Sequence, residues 1–284
     1  MELPTDTIAS PKTQVKTASI DLLTVAAIAV IAALLNSIIH EALGHGLAAI
    51  LLGFHPRQVS TTYLDVSYAG VPAWKSRIVD AAGCGAQLIA AMIGFILMGS
   101  VQKSKANLRF FLWLFTCCNI FAVGGYLMVP TLLGFGDWES FVQGLPSPIV
   151  WKLGLEILGL AISCSGLYLG LRYLDDFSGR TASGPDSRRR RRAKLIYTSY
   201  LAIGTAGTVA AIFNPLSPEL ILVSGAAATF GGNAFMLFML AFGHKPLPTT
   251  PQQPMTPTRS WLWLYLGLVA LFIEFVVLAP GLPR

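Results

Sequence analysis

Seven stretches of this chain are long and apolar enough to cross a lipid bilayer, and that pattern limits the fold more than any other feature. A spanning helix takes about 20 mostly apolar residues to cross about 30 Å of hydrocarbon. By that measure the stretches are 20–53, 78–98, 107–129, 149–174, 194–213, 219–243 and 260–280. Backbone polar groups in hydrocarbon must be satisfied inside the protein, so such stretches are read as helices. The expected fold class is an all-α polytopic membrane protein with about seven transmembrane helices. Charged residues make up only 12% of the chain, against roughly a quarter in soluble domains, which excludes a water-soluble globular fold.

The first stretch, 20–53, would extend roughly 51 Å as a straight helix. It must tilt, kink near Gly44 and Gly46, or project from the bilayer. After it, Gln58 to Tyr68 alternates and is rich in β-branched and aromatic residues, then runs into Gly70 and Pro72. This reads as a short β-hairpin or re-entrant element. Non-helical backbone at membrane depth needs protein or water to satisfy it, so the segment is expected to cover a cavity or lie at the interface.

The net charge of +6 is concentrated in the run Arg188 to Arg192. Basicity in one place does not describe a nucleic-acid surface, and no nucleic-acid partner is expected. The run reads instead as a cytoplasmic topology determinant that attracts anionic lipid headgroups. Lys12 and Lys16, Lys103 and Lys105, the arginine run, and Lys245 with Arg259 fall in alternate connections, while the loops around Asp137 and Glu219 carry no Lys or Arg. Basic loops are therefore placed in the cytoplasm, in a plasma or inner membrane; Arg57, Lys75 and Arg77 are the exception. The polar segment before residue 20 shows no cleavable signal pattern. Four regions result: a polar cytoplasmic N-terminus (1–19), a four-helix core (20–174), a basic linker (175–193) and a three-helix C-terminal region (194–284). The cysteines lie in apolar stretches and read as small buried hydrophobes.

Between Leu22 and Phe54 the ionisable side chains are His40, Glu41 and His45. Such groups in an apolar helix are functional-site candidates by default. Two imidazoles ligate zinc as neutral rings, and a neighbouring carboxylate takes a proton from activated water. The familiar zinc-helix pattern H-E-x-x-H places its histidines four residues apart, but His40 and His45 are five apart. In a regular α-helix that leaves the rings roughly 140° apart. Either a π-bulge absorbs the extra residue and realigns the rings, which the adjacent glycines favour, or Glu41 and His45 ligate without His40. Asp80, His55 and Glu139 are further candidate ligands. Glu156 and Glu274 stand alone in apolar helices.

An apolar helix carrying His40-Glu41-Ala42-Leu43-Gly44-His45, then a β-like segment, then Ala81-Ala82-Gly83-Cys84-Gly85-Ala86-Gln87, resembles the site-2-protease (M50) intramembrane zinc metallopeptidases. The likeness covers about residues 20–140. It implies that both histidines and a later aspartate hold Zn²⁺ while Glu41 acts as the base. The stretch Asn119 to Trp138 would match the family's Asn/Pro-rich segment, making Asp137 the third ligand, with Asn119 and Gln87 as substrate-binding or supporting residues. The implied activity is zinc-dependent hydrolysis of transmembrane protein substrates. The alternative is a non-proteolytic relative: a metal-binding regulator or scaffold, or a transporter using the His/Glu cluster. If helix one runs outward, its motif and Asp137 fall on the same side of the bilayer.

Overall fold

The computed structural model describes residues 18–179, 184–214, 221–242 and 254–283. The N-terminal segment before residue 18, the turn beyond Asn214 and most of the proline-rich loop before Ser260 lie outside the described residues. The described chain is mostly helical. The long elements are α1 (Leu22–Leu51), α2 (Ala73–Ser100), α3 (Ala106–Leu133), α5 (Pro148–Ser178) and α6 (Gly184–Ile212). The short α4 (Asp137–Val142) lies between α3 and α5. A π-helical stretch (Ile221–Gly231), α7 (Phe235–Ala241) and α8 (Trp261–Leu278) complete the set.

Six of these helices are long and apolar enough to cross a membrane. The seventh expected span is not one such helix among the described residues: Gly225–Ala241 is shorter, and it breaks at a turn after Gly231. The outer faces of the long helices remain apolar. Ile89, Met92, Ile93 and Ile96 on α2, and Ile157, Leu158 and Leu160 on α5, are all exposed. Cys164 on α5 is also exposed, unlike Cys84, Cys117 and Cys118, which are buried as expected.

Element boundaries have local causes. Asp21 caps α1 by accepting a hydrogen bond from the Thr24 amide at 2.8 Å, satisfying one of the orphan donors of the first turn. Pro148 opens α5, where its missing N–H has no cost. The expected linker 175–193 is mostly helix instead: α5 continues to Ser178 and α6 begins at Gly184. Arginine is a good helix former, and the run is held by specific partners. Arg188 and Arg192 both pair with the buried Asp175, and Arg191 donates to Thr256 Oγ1 at 2.7 Å and to the Ala18 carbonyl at 3.1 Å. Only Arg189 and Arg190 of the five are exposed.

The two expected membrane regions share one core. Val25 and Ile28 of α1, Phe110, Trp113 and Phe121 of α3, Phe177 of α5, Ile196 and Ile203 of α6, and Met236 and Met239 of α7 form a single buried cluster. One end of the bundle gathers the basic segments: Arg259 donates to Asp21 at 2.8 Å, and Asn107 donates to the Thr258 carbonyl at 3.1 Å.

The opposite end carries the β-like insertion. β1 (Gln58–Val59) pairs antiparallel with β2 (Leu64–Asp65), Gln58 opposite Asp65. Its other edge takes β3 (Leu282–Pro283), also antiparallel, with Val59 opposite Leu282. The hairpin lies where its alternation pointed; the third strand comes from the far end of the chain. Asn214 Nδ2 donates to Thr62 Oγ1 at 2.9 Å and to Ser60 Oγ at 3.2 Å, pinning the hairpin to the end of α6. Arg57, Lys75 and Arg77 sit at this end as local ties. Arg57 pairs with Asp65, Lys75 donates to the Leu52 carbonyl, and Arg77 donates to the carbonyls of Phe141 and Gln143.

Candidate metal centre

The histidines lie in a π-helical segment of α1, Ile39–Gly46. A π turn takes up one residue more than an α turn, which brings side chains five apart onto one face. The two imidazoles meet edge to face with centroids 4.6 Å apart. Their Nε2 atoms are 3.0 Å from one another. Of the two arrangements left open by the spacing, the realigned pair is the one present.

Gly44 and Gly83 allow this geometry by close packing. A Cβ on Gly44 would stand 2.5 Å from Gly83 Cα, and one on Gly83 would stand 2.6 Å from His45 Nε2. The first turns of α2 therefore pass directly under the rings. That contact also orients them. His45 Nδ1 donates to the Val79 carbonyl at 2.7 Å, and His40 Nδ1 lies 3.1 Å from Gln87 Oε1, to which it donates. With both Nδ1 protons directed outward, each ring turns the lone pair of Nε2 inward.

Asp137 arrives from another element. α3 ends at Leu133, and Gly134 and Gly136 then adopt φ of 76° and 78°. This left-handed backbone suits glycine, and it turns the chain so that Asp137 opens α4 against the histidines. Asp137 Oδ2 lies 3.0 Å from His45 Nε2 and 3.4 Å from His40 Nε2. Burial raises this carboxyl, and His40 and His45, when protonated, lower it by more than burial raises it, so it is ionised when a cation or proton shares the site.

Three acceptor atoms held 3.0–3.4 Å apart require a shared cation or proton. Ligands about 2.0–2.1 Å from a tetrahedral zinc stand about 3.4 Å from each other. The donor set of two imidazole nitrogens and one carboxylate oxygen therefore fits zinc in both chemistry and spacing, and leaves a fourth position open. Among the described residues, His40, His45 and Asp137 are the group able to hold a metal ion.

The group faces a cavity of about 620 Å³. Glu41, buried and electrostatically coupled to His40, His45 and Asp137, lines it. Asp80 lines the same cavity without joining the ligand group. His55 is exposed, and Glu139 is bound to Lys152 at 2.6 Å. Gln87 lines the cavity and supports His40. Asn119 does not reach it: its Oδ1 accepts from Asn36 Nδ2 at 3.2 Å and its Nδ2 donates to the Phe115 carbonyl at 2.8 Å, tying α3 to α1.

Tyr126 belongs to the site without having stood out in the sequence. Its ring packs edge on against His40, and its hydroxyl accepts from the Asp137 amide at 3.4 Å. No spacing rule links a tyrosine in the middle of α3 to an aspartate beyond the helix end. The C-terminal helices were likewise without an expected role, yet Gly207, Ala228, Thr229, Asn233 and Glu274 line the cavity. Comparison with family models found no match, and comparisons with curated proteins and with solved structures found none either.

Proposed function

We infer that the protein is a multi-pass integral membrane protein and a zinc-dependent intramembrane endopeptidase of the site-2-protease type. One observation carries this reading: the ligand atoms of His40, His45 and Asp137 converge on a cavity that Glu41 also lines, among apolar helices. His40 Nε2, His45 Nε2 and Asp137 Oδ2 would hold the ion. Zinc bound there supplies a Lewis acid for a peptide carbonyl and lowers the pKa of a water in the open position.

The chain's own residues do the remaining work. Glu41 accepts the proton of the attacking water and delivers it to the leaving amine. Gln87 and the Val79 carbonyl keep both rings in the ligating tautomer. β2 is an edge strand, and its Leu64 lines the cavity with the preceding Tyr63, so an extended substrate segment can pair along it. Pairing would satisfy the backbone of a transmembrane helix as it unwinds. Arg189 and Arg190, at the opposite end of the bundle, are available to anionic headgroups in the cytoplasmic leaflet.

Metal content of detergent-purified protein tests the reading. Wild type should carry about one zinc per chain, and His40→Ala, His45→Ala and Asp137→Ala should each lose it. Glu41→Gln should retain zinc and lose hydrolysis of transmembrane peptides. A metal-free wild type that takes up no added zinc sinks the reading. Zinc-loaded Glu41→Gln with undiminished turnover removes Glu41 as the base, and flux through liposomes without any hydrolysis favours a transporter.

A further inference from the structure

The cavity is acidic. Glu41, Asp80, Asp137 and Glu274 contribute carboxyl groups to its lining, and among the described residues no lysine or arginine lines it. A divalent ion at the histidines would balance two charges and leave the remainder. Three of the four carboxylates belong to, or interact with, the metal cluster: Glu41 and Asp80 both feel Asp137 and His45.

Glu274 is different. It lies on α8, in the C-terminal region, and is 1% exposed. Its Oε2 has no hydrogen-bond partner among the described residues, and no ion pair with it occurs among them. An uncompensated carboxyl buried among apolar side chains is costly, and ionisable groups within apolar helices are retained for function. Its chain neighbour Ile273 and the nearby Leu278 pack against an apolar cluster of Val30, Leu34, Ala206 and Ala270, and Glu274 itself lines the cavity. Asn233, 4% exposed and also lining this cavity, has an unpartnered oxygen, Oδ1.

We propose that Glu274 is the counter-ion for a cationic side chain of the substrate, so that the cavity selects apolar peptide segments interrupted by a lysine. Asn233 Oδ1 supplies a second acceptor for the same ammonium, whose three donors exceed what one carboxylate oxygen accepts. The proposal takes its peptide ligand from the peptidase reading above, but it concerns recognition and not hydrolysis.

The test uses full-length Glu41→Gln protein, in which turnover is blocked, in phosphatidylcholine vesicles. The probes are two fluorophore-labelled Leu/Ala transmembrane peptides, one with a central lysine and one with methionine there. Binding is read by energy transfer from the protein's tryptophans. The lysine peptide should bind at least about tenfold more tightly. Adding Glu274→Gln should bring the two peptides within about twofold, whereas Glu274→Asp should keep the preference. Equal binding of both peptides to the parent overturns the proposal, as does a preference that survives Glu274→Gln. If Glu274→Gln does not fold, loss of preference in Asn233→Ala supports the subsite and its persistence overturns it. Failure of the peptidase reading appears separately, in zinc content and in the turnover of Glu41 variants, and leaves the peptide preference readable.

Discussion

Replacing Gly83 with alanine should remove the metal site while leaving the bundle folded. The added Cβ would stand 2.6 Å from His45 Nε2, 2.7 Å from His40 Cε1 and 2.8 Å from His40 Nδ1. Ordinary contact begins at 3.4 Å, so the rings must retreat by roughly 0.6–0.8 Å. Ligand distances in metal sites hold to about ±0.2 Å, and loss of a single supporting hydrogen bond costs about 10–100-fold in affinity. Displacing both imidazoles should therefore weaken zinc by at least about 100-fold. Overpacking costs about 1–3 kcal/mol, offset by about 1 kcal/mol from exchanging glycine for alanine in a helix. The net loss of stability should thus be at most about 2 kcal/mol. Gly85 provides the control on the same helix, since a Cβ there meets nothing within 4 Å. Gly85→Ala should bind zinc like wild type and melt at the same temperature or slightly higher. The assay is competition with a chromogenic chelator, beside thermal unfolding in detergent. Zinc binding by Gly83→Ala within about twofold of wild type would refute the claim that this close contact sets the rings.

Gln87→Leu removes the acceptor of His40 Nδ1 and should weaken zinc by about 10–100-fold in the same competition assay; unchanged affinity would mean the tautomer is set elsewhere. Asp175→Asn leaves the guanidinium groups of Arg188 and Arg192 without their buried carboxylate and should cost about 3–5 kcal/mol in thermal unfolding, and a loss below about 1 kcal/mol would place this pair among exposed, weak ones. Asp21→Ala removes the cap on α1 and the ion pair with Arg259, with an expected loss of about 0.5–2 kcal/mol. Although burial opposes it, hydrogen bonds from Thr24 and Arg259 lower the Asp21 carboxyl. A group whose folded pKa is depressed stabilises the protein above its unfolded value and loses that contribution as the pH falls through the folded one. The difference in melting temperature between wild type and Asp21→Ala should accordingly be present near neutral pH and shrink as the pH falls below about 4; a gap that does not shrink at all on acidification would mean the loss is packing and not charge.

Local chemistry was readable from the chain, and long-range placement was not. The five-residue spacing of His40 and His45 demanded a realignment if both rings were to serve one ion, and the helix turns π there. Gly44 has a second use that the sequence does not show, the close approach of Gly83. The β-hairpin followed from alternation, but its third strand pairs residues more than two hundred positions apart in the chain, which no local pattern encodes. The charge of the arginine run marks it as a basic linker and topology determinant, but charge does not show that the run is helical. Arg188 and Arg192 of α6 pair with Asp175 of α5, a contact that only the fold reveals. Asn119 shows the same limit, since only the fold reveals that its partner is Asn36.

The π-helical stretches give the C-terminal helices a place in the argument about function. π turns are rare and concentrate at functional sites, because they exchange good α-helical hydrogen bonds for a wider, poorer turn. Here Ile39–Gly46 places His40, Glu41 and His45 on the cavity, Ile221–Gly231 places Ala227, Ala228 and Thr229 there, and Ile273–Leu278 places Glu274 there. The wide turns are real hydrogen-bonded ones: the amides of Gly232 and Ala279 donate five residues back, to Ala227 and Glu274. The three π-helical stretches have the cavity in common, and each brings polar or small residues to its lining. The C-terminal helices are then part of the binding chamber, and removing them should alter what the cavity accepts even where the metal ligands stay in place.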